Sequence, residues 1–230
     1  MTARPVPEPR VWHLPLSGRH SDARFRRILL GRQGLFRKDR SLVGYELLFR
    51  APGRLGLRID LWNPRQQDRA TEHVLAAAFF TGPDLSGGLP LFVNFTRSYL
   101  MDLDRYLHDP GDIVIEVVES AHADQALYDR LAALKLQGYK IAIDDFIGTR
   151  SQRELLSLAD FVKIDYRDFS ARGDSLVEAA RAPHATLVAE RIESLTALRR
   201  CEDVGFSLFQ GHCFEPALVI ERARVEVDAV

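Results

Sequence analysis

The chain has 230 residues, 46% of them hydrophobic, and its 31 basic and 32 acidic side chains give a formal net charge of -1. This length suits one α/β barrel or two small domains, and the near-neutral charge gives no electrostatic reason to expect general nucleic-acid binding. Two cysteines are too few for a disulfide scaffold. The sequence contains no signal-peptide core and no apolar run of the ~20 residues that a membrane span needs. These features predict a cytoplasmic protein without a membrane segment.

The N-terminal region is predicted to lack regular structure. Four prolines stand among polar residues at positions 1–20, a composition that disfavours helix and buries little surface. We therefore predict a flexible Pro-rich tail at 1–20 and a single domain at 21–230.

A β-hairpin is predicted next, with strands at 28–36 and 43–50 joined by a polar turn. Glu46 lies in the second strand among apolar residues, and a buried carboxylate needs a cation, a donor or a proton. Arg50 follows four residues later on the same face of the strand. An internal ion pair between Glu46 and Arg50 is therefore an open alternative to a role as a ligand.

The remainder of the chain alternates strand and helix patterns. Apolar residues at spacings of three and four predict helices at 68–81, 123–134 and 194–203, with a shorter one at 152–158. Strands are predicted at 89–96, 112–120, 140–143, 161–165, 185–193 and 206–211. Weaker patterns predict a loop at 51–67, a partly helical connection at 97–111 and a terminal helix at 218–230, whereas the segment 166–184 is poorly patterned. Seven or eight strands that alternate with helices indicate a parallel sheet closed into a barrel.

Asp144 and Asp145 stand directly after the apolar strand 141–143 and before Gly148. Ligands bind at the carboxyl ends of parallel strands, so two carboxylates at this point can share a divalent cation. A helix N-cap or a solvated turn is the structural alternative for such a pair. No GxGxxG, Walker A or GxSxG motif occurs, which argues against dinucleotide, P-loop and serine-hydrolase sites.

Most of the predicted strands carry a polar residue near the carboxyl end. These residues are Glu46, Asn94, Glu116, Asp144 with Asp145, Lys163, Glu190 and Gln210. In one barrel they converge at one mouth, and their oxygen ligands suit Mg²⁺ or Mn²⁺ better than zinc. Two such ions bridged by a carboxylate commonly activate water against a phosphodiester. Lys163 could stabilise developing negative charge or position the water, and an ion pair with a carboxylate is the alternative.

The strand motifs resemble those of the EAL domain family, bacterial cyclic di-GMP phosphodiesterases with a TIM-like barrel. In chain order they are YELLFR at 45–50, VNF at 93–95, IEVVES at 115–120, IDDF at 143–146, VKID at 162–165, VAERIE at 188–193 and FQG at 209–211. They cover roughly residues 28–217. The segments at 31–34 and 44–50 are most similar to the EAL half of proteins that pair EAL with an HDOD domain. The resemblance implies an α/β fold of the TIM-like (β/α) barrel type with trimmed outer helices.

The resemblance also implies roles for individual residues in hydrolysing cyclic di-GMP to linear pGpG with Mg²⁺ or Mn²⁺. One metal ion is held by Glu46, Asn94, Glu116 and Asp144, and the other by Asp144, Asp145 and Glu190. The catalytic residues are Lys163, which assists the water, Glu190 and Asp145. The dinucleotide is bound by Gln33, Arg50 and Gln210. Glu119 and Glu193 support the loop after the Asp-Asp strand.

Three departures from the family pattern leave a second function open. Leu47 adds bulk beside the first ligand, Ile147 brings a stiff β-branched residue into a loop where glycine is usual, and Arg191 breaks an Ala-Glu-Gly pattern. In the family that loop couples dimerisation to metal occupancy. The alternative is a catalytically impaired domain that acts as a cyclic di-GMP receptor or as a protein-binding regulator. The candidate partners are thus cyclic di-GMP, a second copy of the chain and, for the impaired domain, another protein.

Overall fold

The computed structural model describes residues 24–50, 62–79, 84–102 and 109–226. The predicted tail at 1–20 lies outside these residues, as does most of the predicted loop at 51–67. Strands β1 (Arg24–Arg37) and β2 (Leu42–Arg50) pair antiparallel from Leu29 opposite Arg50 onwards. The predicted hairpin is therefore confirmed.

Eight of the described strands close into a barrel. Six strands follow β2, namely β3 (Leu91–Phe95), β4 (Ile113–Val117), β5 (Lys140–Ile143), β6 (Phe161–Asp165), β7 (Thr186–Glu190) and β8 (Leu208–Phe209). They run parallel to β2 in chain order, and β1 closes the barrel by pairing antiparallel with both β2 and β8. The predicted closed α/β barrel is confirmed.

Helices lie between the strands and cover the outside of the barrel. They are α1 (Pro64–Phe79), α2 (Arg97–Met101), α3 (Gln125–Leu136), α4 (Arg150–Leu155) with a 3₁₀ turn at Leu156–Leu158, α5 (Tyr166–Arg172), α6 (Asp174–Ala180) and α7 (Leu195–Asp203). Asp124 and Ser194 cap the amino ends of α3 and α7 with their side-chain oxygens. Helices α2, α4, α5 and α6 have five, six, seven and seven residues, as expected for trimmed outer helices. Of the helices described, none is long and apolar enough to cross a membrane.

Two predictions of secondary structure were wrong, and one segment without a clear pattern is helical. Helix α1 begins at Pro64 rather than at 68, because proline is tolerated in the first turn. The segment 166–184 holds α5 and α6, which Gly173 separates with a φ of 73° and which are too short to show a helical period. The terminal helix at 218–230 is instead strand β9 (Leu218–Glu226), which pairs antiparallel with Arg24–Arg32. Since β8 reaches only the end of β1, this edge is available for β9, and the pairing overrides a weak local pattern.

Two apolar layers form the core. The larger layer lies between the strands and the helices and includes Leu127 and Leu131 of α3. The smaller layer fills the barrel interior with side chains from six strands, namely Leu35, Phe92, Val114, Ala142, Val188 and Leu208. The barrel is therefore plugged by side chains, and a ligand can enter only above this plug.

Candidate active site at the barrel mouth

A ring of polar side chains lies directly above the interior plug. Each follows an apolar interior residue by two positions: Asn94 after Phe92, Glu116 after Val114, Asp144 after Ala142, Lys163 after Phe161, Glu190 after Val188 and Gln210 after Leu208. Residues two apart in a strand share a face, so the ring is a direct consequence of the strand period. The antiparallel strand β1 places Gln33 two residues before Leu35, at the same level.

Lys163 lies at the centre of this ring and is fully buried. Its Nζ is 2.7 Å from Glu116 Oε1, 2.9 Å from Asp144 Oδ1, 2.9 Å from Glu190 Oε1 and 3.4 Å from Glu46 Oε1. Burial lowers the pKa of Lys163, but the surrounding carboxylates outweigh it and raise that pKa well above its usual value. The ion pair considered as an alternative for Lys163 is therefore present, and it joins the lysine to the predicted ligands themselves.

Glu46 of β2 completes the ring and is held by amide side chains. Gln210 Nε2 donates to Glu46 Oε2 at 2.6 Å and to Gln33 Oε1 at 3.1 Å. Asn94 Nδ2 approaches Glu46 Oε1 at 3.5 Å. Glu46 is thus engaged by the ring rather than by Arg50, and the structure brings Gln33 and Gln210 together.

The ring has the donors and the charge that a divalent cation requires. Four carboxylates face one ammonium group, and burial raises the pKa values of Glu116 and Glu190 well above their usual range despite Lys163. Asn94 Oδ1 is buried and accepts no hydrogen bond from the described residues, although a buried oxygen normally has a partner. A bound Mg²⁺ or Mn²⁺ ion would offset the negative charge that Lys163 leaves on the carboxylates and would give Asn94 Oδ1 a partner.

A second acidic group lies beside the ring. Carboxylate oxygens of Glu119, Asp144 and Asp145 are within 4.8 Å of one another, a spacing that could hold a metal ion. Burial, followed by the charge of Asp144, raises the pKa of Asp145 to about 7. Glu119 was predicted as a support for the loop, but its position next to the two aspartates would equally allow it to bind a metal ion.

The loop after β5 is held by Gln152, whose role the sequence did not predict. The buried Gln152 side chain accepts from the N–H groups of Ile147 and Thr149 at 3.0 and 3.2 Å. Its amide donates to the carbonyls of Asp144 and Asp145 at 3.3 and 2.9 Å. Because the partners are backbone groups, the only signal in the sequence was the capping pair of Thr149 with Gln152 three residues later.

Arg191, in the loop after β7, contributes to another part of the mouth. It pairs at 3.0 Å with Asp165, a buried residue at the end of β6 that also pairs with Arg167 at 2.6 Å. Glu193, the other predicted loop support, is exposed, so its role stays a prediction.

A cavity of about 770 Å³ opens over the mouth, a size typical of small-molecule sites. Its wall includes residues predicted as metal ligands, as catalytic, as substrate-binding and as loop support, namely Arg50, Asn94, Glu119, Asp144 and Asp145. Ile147 also lines it, as do Arg167 and Arg191. The predicted substrate-binding arginine therefore shares one cavity with predicted metal ligands.

Comparison with known proteins identifies a matching family and two relatives in sequence. A family model described as EAL domain matches residues 87–217. The uncharacterized protein YuxH of Bacillus subtilis is 29% identical over 202 residues, which are 84% of this chain and 48% of YuxH. Cyclic di-GMP phosphodiesterase CdgJ of Vibrio cholerae is 27% identical over 209 residues, 87% of this chain and 47% of CdgJ. The chain thus spans about half the length of these curated relatives.

Solved structures show the same fold. Klebsiella pneumoniae BlrP1, in a complex with calcium and cyclic di-GMP, superposes with a TM-score of 0.64 at 22% identity. The match covers 88% of this chain and 62% of BlrP1. At this identity the likeness shows the fold alone.

Proposed function

Because this chain belongs to the EAL domain family, whose model matches more than half of its length, we propose that it hydrolyses one phosphodiester bond of cyclic di-GMP to give linear pGpG. CdgJ, a relative in sequence, is named as a cyclic di-GMP phosphodiesterase. The BlrP1 structure with the same fold contains this dinucleotide together with a metal ion. We assign the same activity to the present chain.

The buried carboxylate ring supports the proposal most directly. Glu46, Glu116, Asp144 and Glu190 come from four different strands and meet around one lysine beneath the cavity. Burying several carboxylates costs free energy that an apolar plug would not cost. Such an arrangement is expected where the charges serve a ligand, and an anionic substrate needs cations bound between itself and the ring.

The ligand assignment follows the positions in the ring. Glu46, Asn94, Glu116 and Asp144 would hold one Mg²⁺ or Mn²⁺ ion, and Asp144, Asp145 and Glu190 the other. When bound, these ions would polarise the phosphoryl group and lower the pKa of a water molecule. Asp144 is the carboxylate assigned to both ions, so its substitution should have a large effect on turnover.

The other side chains would bind and orient the reactants. Arg50 lines the cavity and offers a planar set of donors to a phosphate or a guanine base, while Gln33 and Gln210 offer amide groups from the ring. Lys163 would position the attacking water and stabilise negative charge. The water oxygen forms a bond to phosphorus as the bond to the ribose 3′ oxygen breaks. Asp145 or Glu190 would accept the proton of the water, and the leaving oxygen ends protonated in pGpG.

The experiment is incubation of the purified protein with cyclic di-GMP and Mn²⁺ or Mg²⁺, with pGpG followed by chromatography. We expect metal-dependent product, and a decrease of about 10³-fold in Asp144→Asn, because metal assistance contributes several kcal/mol. The matched control is Asp174→Asn, which alters an exposed aspartate paired with Arg200 and should leave turnover unchanged. Product formation without added metal, or in Asp144→Asn at the wild-type rate, would contradict the proposal.

One observation favours a second candidate, a cyclic di-GMP receptor without turnover. Lys163 already contacts four carboxylates and so neutralises part of the ring without any metal ion. A ring neutralised in this way could bind the dinucleotide and leave it intact. Binding measured by calorimetry, with no pGpG at any Mn²⁺ or Mg²⁺ concentration, would establish the receptor and exclude the enzyme.

A further inference from the structure

Arg191 has a backbone conformation that is unfavourable for arginine. Its φ is 54°, in the left-handed region, where a residue with a Cβ costs about 1–2 kcal/mol more than in ordinary conformations. Strained residues of this kind cluster at functional sites. Glycine would meet the backbone requirement without strain, so the reason for an arginine at this position must lie in its side chain.

The side chain of Arg191 lines the cavity and shares a buried partner with Arg167. Arg191 Nε is 3.0 Å from Asp165 Oδ2. Arg167 donates from Nε at 3.1 Å and from Nη2 at 2.6 Å to the same oxygen. Two guanidinium groups therefore share one carboxylate, and the cluster of three has a net charge of +1.

Neutralising Asp165 does not require both arginines. Arg167 already holds the carboxylate with two side-chain nitrogens and its backbone N–H, which donates at 2.8 Å. The contact described between Arg191 and Asp165 is made by Nε, whereas Arg167 uses two side-chain nitrogens. The Arg191 side chain is 60% exposed and lies in the cavity wall.

The cluster lies directly beside the acidic ring. Asp165 follows Lys163 by two residues on the same face of β6, and it is the register partner of Glu190 on β7. The cavity wall thus carries two guanidinium groups next to the carboxylates. An anion is bound well by guanidinium groups, which offer paired donors to phosphate oxygens.

We propose that Arg167 and Arg191, clamped together on Asp165, form an anion subsite at the rim that binds a phosphodiester group of the dinucleotide. The inference rests on the proposed function and adds a substrate contact that none of the predicted roles includes. The subsite holds the substrate in the same way before and during the reaction. It should therefore affect KM and leave kcat nearly unchanged.

The test is Arg191→Gly, which removes the guanidinium and suits the left-handed backbone. We expect KM for cyclic di-GMP to rise about tenfold, the effect of one charge-assisted contact, with kcat within twofold. The dissociation constant, measured by calorimetry with Ca²⁺ and cyclic di-GMP, should rise by the same factor. Higher ionic strength should reduce the difference between wild type and variant.

Two further variants separate the subsite from general effects. Arg191→Lys keeps the charge but loses the planar fork, and its KM should fall between those of wild type and Arg191→Gly. Arg200→Ala removes an exposed arginine that pairs with Asp174 and lies outside the cavity wall, and its KM should not change. The melting temperature of Arg191→Gly should equal or exceed that of wild type, because the strain is gone.

The outcomes distinguish this subsite from the proposed function. If wild type cleaves or binds cyclic di-GMP and Arg191→Gly does so with unchanged KM and dissociation constant, the subsite is wrong and the proposed function stands. If wild type neither binds nor cleaves the dinucleotide, both are wrong. A loss in kcat alone would also overturn the subsite.

Discussion

The loops after β5 and β7 occupy equivalent places at the barrel mouth but are held in different ways. Each begins at a ring carboxylate, Asp144 or Glu190. Each also contains a non-glycine residue in the left-handed region, with φ of 40° at Asp145 and 54° at Arg191. In the first loop, one side chain from the next helix, Gln152, bonds to four backbone groups.

The second loop is held by its own backbone. Ile192 is fully buried, its N–H donates to the carbonyl of Gln210 at 2.9 Å, and its carbonyl accepts from the N–H of Cys213 at 2.9 Å. Gly211 packs directly against this backbone. These anchors use no side chain of the loop itself, so the Arg191 side chain can contact a ligand. The loop after β5 depends instead on the identity of one residue.

The largest effect should follow from filling the space at Gly211. A Cβ there would lie 2.3 Å from Ile192 N and 2.4 Å from Ile192 O, and backbone atoms cannot move aside cheaply. We expect Gly211→Ala to lower the free energy of unfolding by about 3 kcal/mol. Urea titration with an unchanged m-value would measure it.

Gly173 provides the matched control for this substitution. Its φ is 73°, and a Cβ added there would meet no atom of the described residues within 4 Å, so Gly173→Ala tests backbone strain alone. We expect a loss of about 1 kcal/mol. Equal losses in the two variants would show that the contact with Ile192 does not anchor the second loop.

Removing the side-chain anchor of the first loop should have a smaller effect on stability. Gln152→Ala deletes the four hydrogen bonds to backbone groups and a fifth from the Thr149 hydroxyl, of which the longest contribute least, and we expect a loss of about 2 kcal/mol. Since groups that orient metal ligands commonly change metal affinity 10–100-fold, the Mn²⁺ concentration for half-maximal turnover should rise about tenfold. A metal titration of pGpG formation measures this change.

Two variants show which half of the anchor matters. Gln152→Glu keeps an oxygen for the N–H groups of Ile147 and Thr149 but loses the donor to the two aspartate carbonyls, so it should shift the metal titration almost as far as Gln152→Ala. Gln125→Ala removes an exposed glutamine that bonds to Asp129 and should shift neither property. An unchanged metal titration in Gln152→Ala would show that Gln152 does not orient the metal ligands.

The strand period explains why the ring could be predicted from sequence. A polar residue two positions after an apolar one shares its face, so Asn94, Glu116 and Glu190 were recognisable as interior once their strands were identified. For a residue within a strand, its position in the sequence is enough to show which face of the strand its side chain occupies. The structure brings these residues together around Lys163.

Features that depend on backbone partners could not be predicted in the same way. The four partners of Gln152 are N–H and carbonyl groups, which every residue except proline possesses. Strand β9 pairs with an edge of β1 that exists only once the barrel has closed. The left-handed backbone of Arg191 is likewise set by the loop around it. Resemblance to a family gave no help where this chain departs from the pattern.

The smallest stability effect, and one of opposite sign, is expected at Asp145. Glycine adopts a φ of 40° without strain and removes a carboxylate that repels Asp144, so Asp145→Gly should raise the free energy of unfolding in EDTA by about 1 kcal/mol. Asp145→Asn removes the same charge but keeps a Cβ, and should stabilise less. Both variants should lose turnover, because the proposed second metal ion loses a ligand. If Asp145→Gly were no more stable than Asp145→Asn in urea titration, the left-handed backbone would carry no strain, and the two loops would differ only in their anchors.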